Sequence, residues 1–351
     1  MLMFRWPPAV FENYVIDHRE IQEECERKYG KPLEMAVRST YNPKSNKYFA
    51  FSPGYMPVFI NYRKDLWDDV GIFPSTWEDI RRGGLKIKEK HGIPIVIGLH
   101  NADYALNAIM YSFGASVQDE MGNVVINSKE TRAAVRFVKA LCEESMTSMV
   151  GWVTHGGSHE WHMNSMISGE SSLTFETNII TRIVEMGLPE MSEKIQLAKT
   201  PQGPVRRMGS NRMICYLIWK FSKNIEGAKK FLVDYVGNFQ KIFLTSRFLY
   251  FPCFPKTIPG MEKLLANDSE GQPPTKYKEL EDVAAWTTNT GYPGYANAAI
   301  GEIEGSNLIS KMFLDGSTGG YDKKLAVEEA VKNTETECKR IFSKWKEKGL
   351  L

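Results

Sequence analysis

The stretch Gly54-Tyr55-Met56-Pro57-Val58-Phe59-Ile60-Asn61-Tyr62-Arg63-Lys64-Asp65-Leu66 decides how this chain is read. It opens as an apolar run rich in β-branched and aromatic side chains. That run is too short for a lone helix and predicts a buried strand. With no turn residue between, it passes into "YRKDLWDDVG" (62–71), a polar and helix-compatible segment. A buried strand that leads straight into a charged elbow is the feature the rest of the chain has to explain.

The 351 residues suffice for two domains of ordinary size, each with its own core. A hydrophobic content of 42% beside 25% charged residues is normal for a soluble globular protein. The formal net charge of +2 supplies no field that would attract nucleic acid or anionic lipid. No run approaches the roughly 18 apolar residues that would span a bilayer. Cys25, Cys142, Cys215, Cys253 and Cys338 are odd in number, scattered and without C-x-x-C spacing. They read as buried free thiols, not as a disulfide framework or a metal site. "MLMFRWPPAV" (1–10) has neither the apolar core nor the small-residue cleavage site of a signal peptide. Taken alone, the sequence reads as cytoplasmic.

Outward from the opening stretch, strands and helices alternate. Residues 14–29 form a charged helix that stops at Gly30, and "NPKSNKYFAF" (42–51) a turn followed by a strand. Ser75 is placed to N-cap "TWEDIRRGGLKIKEKHG" (76–92), with Glu78 completing a capping box. Gly83-Gly84 is a flaw in that helix, costing about 1 kcal/mol per residue relative to Ala. "IPIVIGL" (93–99), "SSLTFE" (171–176), "KIQLAKTP" (194–201) and "RMICYLIW" (212–219) read as buried strands. Ser128 and Asn224 start strong helices, and residues 322–349 form a closing one. "NDSEGQPPTK" (267–276) is the clearest exposed loop. The alternation argues for α/β layers.

No G-x-S-x-G, Walker A or G-x-G-x-x-G motif is present. His155, His159 and His162 in "HGGSHEWH" could share a helix face as zinc ligands. Their spacing is not H-E-x-x-H, and a surface loop entering a helix is the preferred reading, with no metal and no cofactor. A glycosidase-like acid/base pair such as Asp103 with Glu176 is the enzymatic alternative. The stronger signal is aromatics beside polar residues where strands end. Tyr104 follows one strand, Trp152 lies in a Gly-rich loop, and Glu176, Thr177 and Asn178 leave another strand. "WTTNTGYPGYANAAIGEI" (286–303) adds Trp286, Tyr292, Tyr295 and Asn297. Ligands of open α/β sheets bind at the carboxyl ends of strands. Flat rings beside amides and carboxylates suit a sugar, which packs its C–H faces on rings while its hydroxyls need donors and acceptors.

Together these segments resemble the extracellular solute-binding proteins of family 1, the substrate-capturing components of ABC sugar importers, of which maltose-binding protein is a familiar relative. The likeness is carried by "VFINYRKDLWDDVGIFPSTWEDI", "INSKETRAAVRFVKAL", "MISGESSLTFETN", "IWKFSKNIEGAKKFLVDYV" and "TGYPGYANAAIGEI", in that order from about Lys47 onward. It implies an α/β, two-lobed periplasmic-binding-protein-like fold of type II. "GYMPVFINYRKDL" then looks like the first of three crossings between lobes, and Gly54 and Pro57 suit a backbone that bends in a fixed manner. Further crossings are expected near Thr200–Gly209 and Pro255–Gly260.

Lobe one would comprise residues 1–55 and 205–258, and lobe two 56–204 and 259–351. Only about fifty residues precede the first crossing, so lobe one reads as truncated and incomplete, with exposed strand edges. The implied function is capture of a carbohydrate by hinge closure and its delivery to ABC permease subunits. No reaction, nucleic acid or transmembrane segment of its own is involved, and the implied place is periplasmic, or extracellular and membrane-associated. A glycoside hydrolase-like enzyme, or a truncated scaffold without binding activity, is the alternative. Tyr104, Trp152, Glu176, Asn178, Tyr295 and Asn297 are the expected ligand-binding residues, with Trp286 as a further candidate.

Overall fold

The computed structural model describes residues 1–4, 8–98, 105–146, 159–318 and 324–351, side chains at 2–4 and 159–160 excepted. The strands run β1 (Leu2–Phe4), β2 (Tyr41–Asn42), β3 (Lys47–Tyr48), β4 (Phe51–Pro57), β5 (Phe59–Arg63), β6 (Leu173–Glu176), β7 (Ile195–Ala198), β8 (Gly209–Leu217), β9 (Phe251–Pro252) and β10 (Thr287–Thr288). Among the described residues, one sheet has the order β1-β8-β4-β9 with β10 added on β8, and a second has the order β6-β5-β7. Each sheet carries its own apolar core. Around the first, lobe one packs aromatic side chains such as Phe49, Phe51, Tyr55, Phe239, Phe251 and Phe254. Around the second, lobe two packs mostly aliphatic ones, among them Ile80, Ile109, Val138 and Ile303.

The opening stretch joins the two sheets. Every residue of β4 and β5 is buried. Phe51 and Tyr55 belong to the core of lobe one, while Val58, Ile60 and Tyr62 belong to that of lobe two. The charged elbow closes on itself: Arg63 Nε and Nη2 donate to the two Asp65 carboxylate oxygens at 2.8 and 2.6 Å. The helix Lys64–Asp69 then begins and buries Trp67, whose indole N–H donates to Ser172 O at 3.0 Å.

The next helix, Trp77–His91, starts one residue later than the sequence suggests. Thr76 is the N-cap and Asp79 closes the capping box, with O–N distances of 3.0 and 3.1 Å. Ser75 is instead tied down from outside, its carbonyl accepting from Gln202 N–H at 2.8 Å. The glycine pair has a packing reason. A Cβ on Gly83 would strike the Trp67 ring, and one on Gly84 would sit 2.9 Å from Ile95. The propensity cost of the pair is the condition for the helix to lie directly on Trp67.

The chain returns to lobe one between β7 and β8 and passes back at a later point than expected. Leu265, Tyr277, Leu280, Val283, Trp286 and Ala296 all lie in the core of lobe one, and Ala299 is in that of lobe two. Of the stretch 259–351 expected in lobe two, residues 265–286 thus pack in the core of lobe one, while Tyr292 packs against that of lobe two and Ala296 against that of lobe one, so the chain runs along the boundary beyond Trp286. Pro255–Thr257 is a single 3-10 turn whose neighbour Ile258 remains in the first core. A Pro/Gly-rich joint marks a bend, and only the packing of the residues beyond it fixes the side of the boundary on which the chain continues.

Candidate ligand-binding site between the lobes

The two sheets meet at Glu176, the last residue of β6. Its cross-strand partner is Phe59, which puts its side chain on the face of Asn61 and Thr174, away from Ile60 and Phe175 in the core. From the other lobe, Arg212 of β8 stands opposite Met56 of β4. Its guanidinium grips the carboxylate with both arms, Nη1 to Oε1 and Nη2 to Oε2, each at 3.1 Å. His162, in the helix His159–Ile167, places Nε2 3.2 Å from Oε2. The Thr177 backbone N–H donates to Oε1 at 2.7 Å. All three side chains are sealed: Glu176 is 0%, His162 2% and Arg212 8% exposed. A carboxylate at that depth persists as an ion only when matched in this way. Ile95 and Met146 bridge in parallel, and Val96 N–H donates to Leu173 O of β6 at 2.9 Å. Tyr104 and Trp152 follow those segments in the chain, in stretches that lie outside the described residues.

The remaining expected residues do not gather there. Asn178 sits at the N-cap position of the helix Ile179–Gly187, where its side chain makes no cap and donates to Arg247 O at 2.5 Å. Asn297 N-caps the helix Ala298–Gly305 through Ile300 N–H at 2.9 Å and donates to Gln118 Oε1 at 2.8 Å. Gln118 also donates to the Tyr295 carbonyl at 2.8 Å, and the Tyr295 ring meets Tyr41 edge-on at 5.9 Å. Nearby, the Arg38 guanidinium lies over the Tyr292 ring at 5.5 Å and its Nε donates to Asn289 Oδ1 at 3.1 Å. Arg38 belongs to the helix Glu34–Thr40, which reaches the opposite face of β8: Asn211 Nδ2 lies 3.0 Å from Met35 Sδ. Asn211 and Arg212 are consecutive strand residues and point to opposite sides. Trp286 is removed from the candidates, because it is 3% exposed in the core of lobe one with its indole N–H on Asp282 Oδ1 at 2.8 Å.

This geometry, two lobes with a sealed polar pairing at their junction, can be set beside known proteins. A model of the family described as bacterial extracellular solute-binding protein matches residues 32–238. The chain belongs to that family. Solved structures share its two-lobed, periplasmic-binding-protein-like α/β fold. Maltose-bound T. maritima MalE3 is 23% identical, with a TM-score of 0.75 over 97% of this chain and 83% of that one. A sugar transporter from Arthrobacter chlorophenolicus A6 with bound laminaribiose is 16% identical, with a TM-score of 0.72 over 96% and 83%. The GacH receptor of Streptomyces glaucescens GLA.O, solved unliganded and with acarbose, is 17% identical, with a TM-score of 0.71 over 97% and 82%. No curated protein matches this chain in sequence.

Two residues of this solute-binding protein's junction escape a reading of its sequence. Arg212 is a lone cation at the head of the apolar run "RMICYLIW", which is itself a signal, since a buried strand position holds an arginine only if something answers its charge. His162 attracts notice as a metal ligand, yet its partner is Glu176, fourteen residues on. His155 lies outside the described residues, as does the side chain of His159. Chemically, the junction offers a pinned carboxylate, a guanidinium and an imidazole in a buried site that both lobes build.

Proposed function

We propose that this protein captures a carbohydrate between its lobes and presents it to the permease of an ABC importer, without chemical turnover or cofactor. The observation that supports it most is the Glu176–Arg212–His162 pairing, which joins the two lobes at the carboxyl end of β6. Ligands of α/β sheets bind at such ends, and polyhydroxyl ligands require fixed donors and acceptors there. Glu176 already answers Arg212, so the site favours a neutral sugar over a cationic or amino sugar. Maltose, laminaribiose and acarbose, named with the neighbouring structures, are all carbohydrates. Tyr104 and Trp152 would supply ring faces beside Glu176. Asn178, Tyr295 and Asn297 are weaker contributors, since both asparagine side chains are engaged elsewhere. Closure is a population shift: a ligand that touches both lobes binds the closed state better and stabilises it. The place of action would be the periplasm, or the outside of the cell in association with the membrane. Among the described residues no helix is long and apolar enough to cross a membrane.

Calorimetric titration of a panel of neutral oligosaccharides against wild type, Trp152→Ala and Glu176→Gln tests this reading. One sugar should bind wild type, with Trp152→Ala weakened by several kcal/mol, the usual cost of truncating a large buried contact. Unchanged affinity in both folded variants would move the site elsewhere, and cleavage of an oligosaccharide would replace capture with hydrolysis.

A further inference from the structure

A second buried carboxylate crosses the lobe boundary away from the candidate site. Glu185 lies near the end of the helix Ile179–Gly187, about 9 Å along its axis from the start. That helix belongs to lobe two, where Ile180 and Val184 pack on Met166 and on Ile195 of β7. The Glu185 side chain is 3% exposed, and its partners all come from lobe one. Arg247 Nη2 lies 3.2 Å away, and Lys276 Nζ, 0% exposed, lies 3.5 Å away. Tyr277, part of the lobe-one core, donates its hydroxyl to Oε2 at 3.1 Å. Lys276 also reaches into lobe two by donating to Ser192 O at 2.7 Å. Burial lowers the Lys276 pKa, and Glu185 offsets that only in part. Arg247 is spread more thinly. It sits in the left-handed region at φ 50° and also pairs with Asp268 at 3.3 Å and Glu270 at 2.6 Å. Beside the cluster the lobes part around a groove of about 590 Å³, lined by Lys64, Glu193, Gln196 and Gln272.

We propose that the Glu185–Lys276–Arg247 cluster is an interlobe latch that sets how far the lobes separate in the empty protein. Opening draws Glu185 away from Tyr277 and Lys276 and hydrates them, so the latch belongs to the arrangement in which these groups touch and biases the equilibrium toward it. Breaking it enlarges the open population about tenfold or more, the scale of hydrogen bonds to a charged group. The inference concerns the ligand-free protein and stands whether or not the ligand is a carbohydrate.

The test is the distance distribution between spin labels at Lys129→Cys and Lys230→Cys, exposed positions on opposite lobes, in a Cys142→Ser background without ligand. Wild type and Glu270→Gln, which removes only the 72% exposed partner of Arg247, should give one and the same distribution. Glu185→Gln and Lys276→Met should shift it to longer separations. Tyr277→Phe removes a single hydroxyl from a ring already packed in the core, should fold normally, and should shift the distribution less. Wild-type distributions in Tyr277→Phe and in every folded charge variant would overturn the latch.

Discussion

Glu176 and Glu185 make an instructive pair. Both are carboxylates of lobe two, 0% and 3% exposed, and both are met by an arginine of lobe one, at 3.1 and 3.2 Å. Their surroundings differ. Glu176 ends a strand and is pinned from several directions, by two guanidinium arms, an imidazole and a backbone N–H. Glu185 lies on a helix face, and its arginine is divided among three carboxylates, one of them 72% exposed. A carboxylate held bidentately in a sealed junction is a rigid part of a site. One whose partner has alternatives in water can be released at lower cost. The same chemistry across one boundary therefore builds a floor in one place and a breakable contact in the other.

Removing the cation at each place probes that difference most strongly. Arg212→Met strands a buried carboxylate and should lower unfolding stability by about 3–5 kcal/mol, as read by urea melts. Arg247→Met should cost clearly less, because Lys276 and Tyr277 remain on Glu185. Equal losses would erase the distinction between the two carboxylates. A buried ionisable group that lies within one lobe sharpens it next. His18 is 0% exposed; it lies 3.0 Å from Tyr48 O through Nδ1, and its Nε2 accepts from Ile218 N–H at 3.0 Å. Desolvation pushes its pKa down from 6.5 to about 4. The unfolded chain therefore takes up the proton first as pH falls. Stability is full above about 6.5 and is lost on the way down to about 4, by up to about 3 kcal/mol. Urea midpoints at pH 7.5 and 4.5 should differ less in His18→Gln than in wild type. An equal pH dependence would remove His18 as the source. The smallest expected effect sets the scale of an ordinary polar contact. Thr76→Ala deletes the capping box of the helix Trp77–His91 and should cost about 1 kcal/mol in the same melts. A loss as large as that of Arg212→Met would mean that burial of charge is not what separates the two places.

Much of this architecture is legible in local signals. The apolar run Val58–Ile60 and the elbow at Arg63–Asp65 mark the first joint, because strand burial and self-pairing charge are short-range patterns. Ser128 and Asn224 cap the helices they were expected to cap, each accepting from the N–H three residues on. At 75–79 two overlapping capping boxes were available, and the choice fell to Thr76 because Gln202 holds the Ser75 carbonyl from across the lobe. Lys276 ends the loop 267–276, which composition marks as exposed, yet its ammonium is buried by groups 84 and 91 residues away in the chain, Ser192 and Glu185.

By itself the sequence determines the α/β class, the two-lobed family fold, the first crossing and the identity of Glu176 as a residue at a strand end. The class and the strand end rest on periodicity, caps and turn chemistry, which act over a few residues, and the two-lobed fold and the first crossing on the resemblance of whole segments to a family. Only the tertiary structure decides that residues 265–286 pack in the core of lobe one and that Trp286 is part of it. It alone pairs Glu176 with Arg212 and His162, and Glu185 with Lys276. A buried charge selects its partner by proximity in three dimensions and by the loss of water around both, and neither leaves a trace in the local order of residues.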